Sequence, residues 1–457
     1  MKATFKALTK EANFLSLTGN IAVSFFGFAG FALLARQFPL DQFGEWVLYI
    51  SSAAFVDMFR FGIVTTAVVR YLSGASSDDR PRFIGSFIFM VFLATAALSL
   101  IIVACHVAFP DAIRDSGYDL FFTWYPIIAF IGIPMNTALV IMQADLRFDR
   151  ILIVNSLYSV MFFGLIVAGY FFFDFTLNQL LIGQITVYLL VSAYCMVMGW
   201  AGTRFLFRAS RRTNRVLFDF GKYTTFTLIG TNLLRSADSL IISLSPMGTT
   251  AVALYSIPMK ITELQQIPLR SFAATAFPKM SKASILGRLT EVRKTFYTYS
   301  GAMTYLFALM SLIIFVFAEF LVLVLGGSQY LVTDPVTGAN TATIVRIFSI
   351  YGLLLPFERM TGIGLDSINR PDLNFQKVML MVVANIVGDL IAVFLIGSLE
   401  AVAVGSVLFT LFGVWLGYYF LDRELGIERT KVFTSGYEFY RLVYCKIRTL
   451  ARQFQHT

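Results

Sequence analysis

The chain has 457 residues, of which 57% are hydrophobic and 14% are charged, and its mean hydropathy is +0.74. A water-soluble fold could not bury that much apolar surface, so the composition excludes a soluble enzyme and indicates a polytopic membrane protein. The formal net charge of +9 would suit a nucleic-acid partner, but the basic residues follow membrane topology, and we expect no nucleic-acid binding. The three cysteines lie far apart, which indicates neither a disulfide framework nor a metal site.

The apolar residues form segments that are each long enough to cross a bilayer, which requires about 20 residues per helix. In chain order they lie near 13–36, 45–72, 83–109, 120–143, 149–173, 179–202, 217–242, 250–277, 296–325, 341–368, 376–396 and 399–421. No connection between them is long enough for a folded domain outside the membrane. We therefore predict an all-α membrane protein with about 12 transmembrane helices.

The basic residues orient these helices. Most of the 36 lysines and arginines lie in the connections on one side, and only Arg36 and Arg114 lie in those on the other. Because lysine and arginine stay in cytoplasmic loops, we predict that both chain ends are cytoplasmic. The same positive charge would attract anionic membrane lipids.

The C-terminal tail has a helical pattern of its own. Tyr440, Val443 and Ile447 recur at steps of three and four, with Arg441 and Lys446 between them. This spacing predicts an amphipathic helix. It would either lie on the cytoplasmic surface of the membrane or dock on the loops, and the sequence leaves both interpretations open.

Two fragments suggest an internal repeat. T-A-V-V-R at 66–70 resembles T-A-F-P-K at 275–279, and both lie in the second helix of a set of six. A parallel repeat of this kind would give two lobes around a central cavity, although chance likeness between two apolar helices would look the same. We predict an N-terminal lobe over 1–210, a C-terminal lobe over 211–422 and a cytoplasmic amphipathic tail over 423–457.

Charged residues lie inside the predicted spans, where each costs about 2.5–3.5 kcal/mol on insertion scales. The bases are Arg60, Arg235, Lys260, Arg270, Arg346 and Arg359, and the acids are Asp57, Asp238, Glu263, Glu319, Glu358, Asp366 and Asp389. Three pairs are spaced i, i+3 on one helix, within reach of each other: Asp57 and Arg60, Arg235 and Asp238, Lys260 and Glu263. Each pair either neutralises itself and locks helices together, or lines a cavity.

Arg270 differs from these pairs because no acid lies within four residues of it. A guanidinium group does not lose its proton in a protein, so Arg270 needs a partner from another helix, from water or from an anionic ligand. When the two halves of the repeat are aligned, Arg60 falls on the residue immediately before Arg270. We predict that the two arginines form a phosphate clamp in a shared cavity.

We assign substrate binding to the bases Arg60, Arg235, Lys260, Arg270 and Arg359. Ion coupling or charge pairing is assigned to the acids Asp57, Asp238, Glu263 and Asp389. Asp389 follows Asn385 by one turn and has no nearby base in its span, so it would bind a proton or Na⁺. A protonated aspartate bonded to a neighbouring helix would give the same pattern.

At several positions the chain resembles a known family. The fragments are L-L-A-R-Q-F-P-L-D-Q-F-G-E-W (33–46), A-D-L-R-F-D-R-I-L-I-V-N (144–155) and F-P-K-M-S (277–281). They resemble polysaccharide biosynthesis (O-antigen, Wzx-type) flippases of the multidrug/oligosaccharidyl-lipid/polysaccharide exporter superfamily. One departure is Arg60-Phe61-Gly62, where many relatives carry D-x-G, so a cation replaces an acid.

The resemblance implies twelve helices in two lobes and a cationic cavity. It implies that the protein moves undecaprenyl-diphosphate-linked oligosaccharide between leaflets of the bacterial inner membrane by alternating access. The expected partners are this glycan lipid, membrane lipids and other membrane proteins of polysaccharide assembly. We expect no enzymatic activity, no metal and no cofactor, with a proton or Na⁺ gradient as a candidate driving force.

Three other functions fit parts of the sequence. A cation-coupled multidrug exporter of the same superfamily would need cavity acids and few fixed arginines. A membrane glycosyltransferase or polymerase would need an acidic motif or a sizeable outer loop, for which D-Q-F-G-E (41–45) is too weak. A flippase for capsule or exopolysaccharide precursors is indistinguishable from an O-antigen flippase by sequence.

Overall fold

The computed structural model describes residues 12–73, 75–219, 237–333 and 338–454. These ranges are helical with short connections and contain no β-strand. Contacts within the chain divide it into two units, Met1–Ala253 and Leu254–Thr457. The predicted lobe boundary after residue 210 stays a prediction, because 220–236, at the start of the predicted second lobe, lies outside the described residues.

The first unit is built from helices that follow the predicted spans. In chain order they are α1 (Ala12–Gln37), α2 (Leu40–Ser73), α3 (Arg80–Ala108), α4 (Pro110–Asp115), α5 (Asp119–Ile131), α6 (Ile133–Ala144), α7 (Phe148–Ala168) and α8 (Leu177–Val197). A short 3₁₀ helix, Thr203–Arg208, follows α8, and two further helical segments cover 211–219 and 237–243.

The second unit begins within a long helix and ends with the tail. Its helices are α9 (Gly248–Ile285), α10 (Leu289–Val316), α11 (Ala318–Gly326), α12 (Thr341–Ser367), α13 (Pro371–Leu390), α14 (Leu399–Leu425) and α15 (Thr430–Phe454). The core of this unit contains Phe296, Met360 and Leu421, which are fully buried among apolar neighbours.

Among the described residues, eight helices are long and apolar enough to cross a membrane, or nine when α5 and α6 count as one bent span. The apolar part of α1 covers Val23–Gln37, and α9 occupies the eighth predicted span. Most of the predicted span at 217–242 lies outside the described residues. The helix order agrees with about twelve spans, and the prediction of an all-α polytopic membrane protein is confirmed.

The fourth span is bent by 52° where α5 meets α6. Gly132 separates the two helices, and Pro134 lies in the first turn of α6. A proline has no amide hydrogen and its ring clashes with the preceding turn, so a straight helix through this position is disfavoured.

A π-helical turn ends the fifth and the eleventh span. Helix α7 continues as Gly169–Phe173 and stops at Asp174, whose φ is 46°. Helix α13 continues as Ile391–Ile396 and stops at Gly397, whose φ is 71°. Such turns are rare, and their presence at the same place in each set of six helices supports the internal repeat.

The tail helix α15 docks on the helix α10 of the second unit rather than on a loop. Its predicted place on the cytoplasmic surface stays a prediction. Gly301 of α10 and Gly436 of α15 bring their backbones together, and a Cβ atom on either would meet backbone atoms of the other helix. The hydroxyl of Tyr440 donates a hydrogen bond of 2.9 Å to the carbonyl oxygen of Ala302.

Candidate functional site: charge networks within the membrane

Arg60 is the centre of a buried network in the first unit. It lies on α2, and its side chain is only 2% exposed. Its Nη1 is ion-paired with Asp57, its Nε donates 3.0 Å to Thr95 Oγ1 and its Nη2 donates 2.6 Å to the carbonyl oxygen of Ala129. The guanidinium therefore ties α2 to α3 and α5, and its charge is compensated inside the protein.

Asp57 is the more exposed member of this pair. Its side chain is 42% exposed, and its Oδ1 also accepts a hydrogen bond of 2.8 Å from the Tyr125 hydroxyl. The i, i+3 spacing thus gives the predicted ion pair. The exposed member of the pair is thus the acid Asp57, whereas the sequence analysis assigned substrate binding to the base Arg60.

A second polar chain, which the sequence did not predict, crosses the same unit. The Tyr49 hydroxyl donates 3.1 Å to Gln184 Oε1, and Gln184 Nε2 donates 3.3 Å to the Tyr158 hydroxyl. The rings of Tyr158 and Tyr188 are 4.8 Å apart. The signal was Gln184 itself, because an amide inside an apolar span needs hydrogen-bond partners.

The second unit holds the other predicted pair on α9. Lys260 Nζ lies 2.8 Å from Glu263 Oε2, and both side chains are partly exposed. The third pair cannot be described in the same way, because Arg235 lies outside the described residues. Its predicted partner, Asp238, is buried in the helical segment 237–243.

Arg270 and Arg359 are exposed on α9 and α12. Neither forms an ion pair with any carboxylate in the described part of the chain. Both belong to predicted spans, so contact with acyl chains would cost several kcal/mol per charge. These two guanidinium groups therefore require water or an anion beside them. The predicted clamp of Arg60 with Arg270 stays a prediction.

An ion pair between α12 and α13 was also missed. Lys377 Nζ donates 2.8 Å to Glu358 Oε1 and 3.0 Å to the Glu358 carbonyl oxygen, and the Lys377 side chain is 1% exposed. Lys377 was not among the bases predicted inside the spans, although the predicted span 376–396 contains it. It lies inside the helix because α13 already begins at Pro371, a residue favoured in the first turn.

Asp389 is fully buried in α13. Asn385, one turn earlier, is also buried and donates 3.1 Å from Nδ2 to Asp389 Oδ2. Elsewhere in the core of this unit, the Tyr255 hydroxyl and Ser406 Oγ are 3.4 Å apart. A buried carboxylate that accepts a hydrogen bond from an amide is suited to take up a proton or a hard cation.

Solved structures with the same fold are transporters. A lipid II flippase, MurJ, in an inward closed conformation matches with a TM-score of 0.71 at 12% identity, over 95% of this chain and 92% of that one. An inward-facing multidrug resistance MATE family transporter of the MOP superfamily matches with a TM-score of 0.69 at 14% identity, over 91% and 99%. A MOP superfamily transporter from Pyrococcus furiosus matches with a TM-score of 0.58 at 14% identity, over 92% and 96%.

No curated protein sequence was found to match the chain. The family described as "Polysaccharide biosynthesis protein" matches residues 33–335, which is more than half of the sequence. The expected resemblance is thereby confirmed, and the chain belongs to the polysaccharide biosynthesis protein family.

Proposed function

We propose that this protein is a flippase that moves an undecaprenyl-diphosphate-linked oligosaccharide, such as an O-antigen repeat unit, from the cytoplasmic to the periplasmic leaflet. The family and the transporter fold support a flippase or related transporter. The finer proposal places the protein in the bacterial inner membrane with both ends cytoplasmic. It has no enzymatic activity and no cofactor, and it works beside other membrane proteins of polysaccharide assembly.

The observation that carries the proposal is the exposure of Arg270 and Arg359. A membrane protein keeps a permanent cation uncovered in its spans only where a polar compartment or an anion solvates that cation. A diphosphate offers several oxygens in the geometry that a guanidinium group binds bidentately. Lys260, partly exposed on α9, would add to the same positive field, and we keep Arg60 and Arg235 as candidates from the sequence.

The test is to replace Arg270 and Arg359 singly by alanine in cells that depend on this chain. We expect surface polysaccharide to fall about tenfold or more, and lipid-linked glycan to accumulate on the cytoplasmic leaflet. Arg346→Ala is the matched control, because Arg346 already has a carboxylate partner, Glu319, at 2.8 Å. Normal polysaccharide in both variants, with normal insertion, would contradict the proposal.

Asp389 is our candidate for coupling transport to an ion gradient, with Asp57, Asp238 and Glu263 as the further acids. Its complete burial next to Asn385 supports this role. In Asp389→Asn, we expect cargo movement to lose its dependence on the proton or Na⁺ gradient. Unchanged dependence, measured by dissipating each gradient separately, would exclude this residue.

One observation favours the cation-coupled multidrug exporter as a second candidate. The uncovered member of the α2 pair is the acid Asp57, and a partly exposed carboxylate would attract a cationic drug. Cells that produce the chain would then accumulate less ethidium than cells that do not, and Asp57→Asn would abolish the difference. Equal dye accumulation in all three would exclude this function.

A further inference from the structure

A groove of about 470 Å³ lies at the predicted cytoplasmic end of the first unit. It is bounded by the connection before α3 and by the 3₁₀ helix Thr203–Arg208. Arg82, Arg204 and Arg208 all line it, and Asp78 is the acid in its wall. The positive-inside rule accounts for arginines on this side of the membrane, but not for the convergence of three of them on one groove.

The backbone that carries two of these arginines is held firmly against α3. An added Cβ atom at Gly85 would collide with the carbonyl oxygen of Phe205, so the two backbones are in contact. The amide of Ser210 donates 3.2 Å to Ser86 Oγ just after the 3₁₀ helix. The backbone of Arg204 and Arg208 is therefore held beside the start of α3.

Two arginines of the groove, Arg204 and Arg208, lack the carboxylate partners that Arg80 and Arg147 have on the same side. Arg80 lies 2.6 Å from Asp145, and Arg147 lies 2.8 Å from Asp149. Among the described residues, Arg204 and Arg208 have no carboxylate within ion-pair distance. Arg82 has a loose contact of 3.6 Å with Asp79.

The guanidinium of Arg204 lies over the Phe205 ring, 4.6 Å from its centroid. This contact fixes the side chain but leaves its charge uncompensated. Three guanidinium groups against Asp78 in the wall and Asp79 beside Arg82 still leave the groove with an excess of positive charge. Such a site attracts an anion, and phosphate is the anion that several guanidinium groups bind best.

An apolar side chain beside the groove indicates that this anion belongs to a lipid. Phe207 lies between Arg204 and Arg208 in sequence, and its side chain is 95% exposed. An aromatic ring beside basic residues at the end of a transmembrane helix is typical of a segment at the membrane interface. Further along α3, Phe92 and Leu93 are exposed, as expected for a lipid-facing helix.

We propose that this groove binds the headgroup of an anionic phospholipid from the adjoining leaflet. The phosphate would lie between Arg82, Arg204 and Arg208, with Phe207 among the acyl chains. Asp78 and Ser77 would face the outer part of the headgroup, where they can hydrogen-bond to hydroxyl groups such as those of glycerol. This site is separate from the proposed transport function, so either can fail without the other.

The test uses the purified full chain and native mass spectrometry with phosphatidylglycerol or phosphatidylethanolamine. We expect phosphatidylglycerol to be retained preferentially. In the double variant Arg204→Gln/Arg208→Gln, its retention should fall about tenfold or more. Arg211→Gln/Arg212→Gln is the matched control, because it removes the same charge from the next segment without altering the groove. Arg204→Lys/Arg208→Lys should keep part of the retention.

Four outcomes would overturn the proposal. The first is retention of phosphatidylglycerol by the groove variant at the level of the natural chain. The second is an equal loss of retention in the control pair and in the groove pair. Equal retention of phosphatidylethanolamine would show that the negative charge is not recognised. Displacement by inorganic phosphate or by farnesyl diphosphate, at concentrations where short-chain phosphatidylglycerol has no effect, would assign the groove to a different anion.

Discussion

The two units differ in how far they cover the arginines of their described spans. In the first unit Arg60 is 2% exposed and joins three helices, and the exposed partner is Asp57 at 42%. In the second unit the cations Arg270 and Arg359 are exposed. Lys377, which is bound to Glu358, is fully covered in that unit. An arginine inside a span can thus be a structural cross-link or a free cation, and only its surroundings decide which.

The largest expected effect tests the covered cation of the second unit. Glu358→Ala would leave the Lys377 ammonium buried without its carboxylate, which costs about 3–5 kcal/mol. We expect a strong loss of thermal stability in detergent. The double variant Glu358→Leu/Lys377→Met should recover most of it, because no unpaired charge remains. If Glu358→Ala unfolds at the same temperature as the unchanged protein, the ion pair does not stabilise this unit.

A smaller effect is expected for the covered cation of the first unit. Arg60→Met removes the hydrogen bonds to Thr95 and Ala129, which should cost about 2 kcal/mol. The loss is smaller than for Glu358→Ala because Asp57, the charge left behind, is partly exposed and can be solvated. Thermal unfolding with Arg359→Met as the control measures the difference. We expect the control to change stability by less than about 0.5 kcal/mol.

One outcome would contradict the comparison of Arg60→Met with Arg359→Met. If Arg359→Met destabilises the protein as much as Arg60→Met does, the exposed arginine is also a structural residue. The contrast between the two units would then be lost, and with it the main support for an anion beside Arg359.

The smallest effect concerns the tyrosine–glutamine chain of the first unit. Gln184→Leu leaves the hydroxyls of Tyr49 and Tyr158 without their shared partner and should cost about 1–2 kcal/mol. Gln143→Leu is the control, because Gln143 is exposed at the end of α6. An unfolding temperature of Gln184→Leu equal to that of the unchanged protein would show that water hydrogen-bonds to the two tyrosine hydroxyls in place of the amide.

The sequence predicts the features of this protein that depend on neighbouring residues of one helix. The apolar runs give the spans, and the i, i+3 spacing gives the ion pairs of Asp57 with Arg60 and of Lys260 with Glu263. It cannot predict contacts between helices. The bond from Lys377 to Glu358 depends on how α12 and α13 pack.

The burial of Arg60 shows the same limit. Sequence spacing identifies its partner, but Thr95 and Ala129 come from other helices and decide that the base rather than the acid is covered. A charge inside a span is therefore a reliable sign of an important position. Its role becomes visible only when the neighbouring helices are known.

The contact between Gly301 and Gly436 has a consequence for the tail. The main chains of α10 and α15 touch at these two glycines. The point where the helices cross therefore requires that neither residue has a side chain. The polar face of α15 could therefore change its charge freely while the helix stays on α10. Conversely, a single methyl group added at residue 436 would clash with the backbone of Gly301 and separate α15 from α10, without altering any charged group.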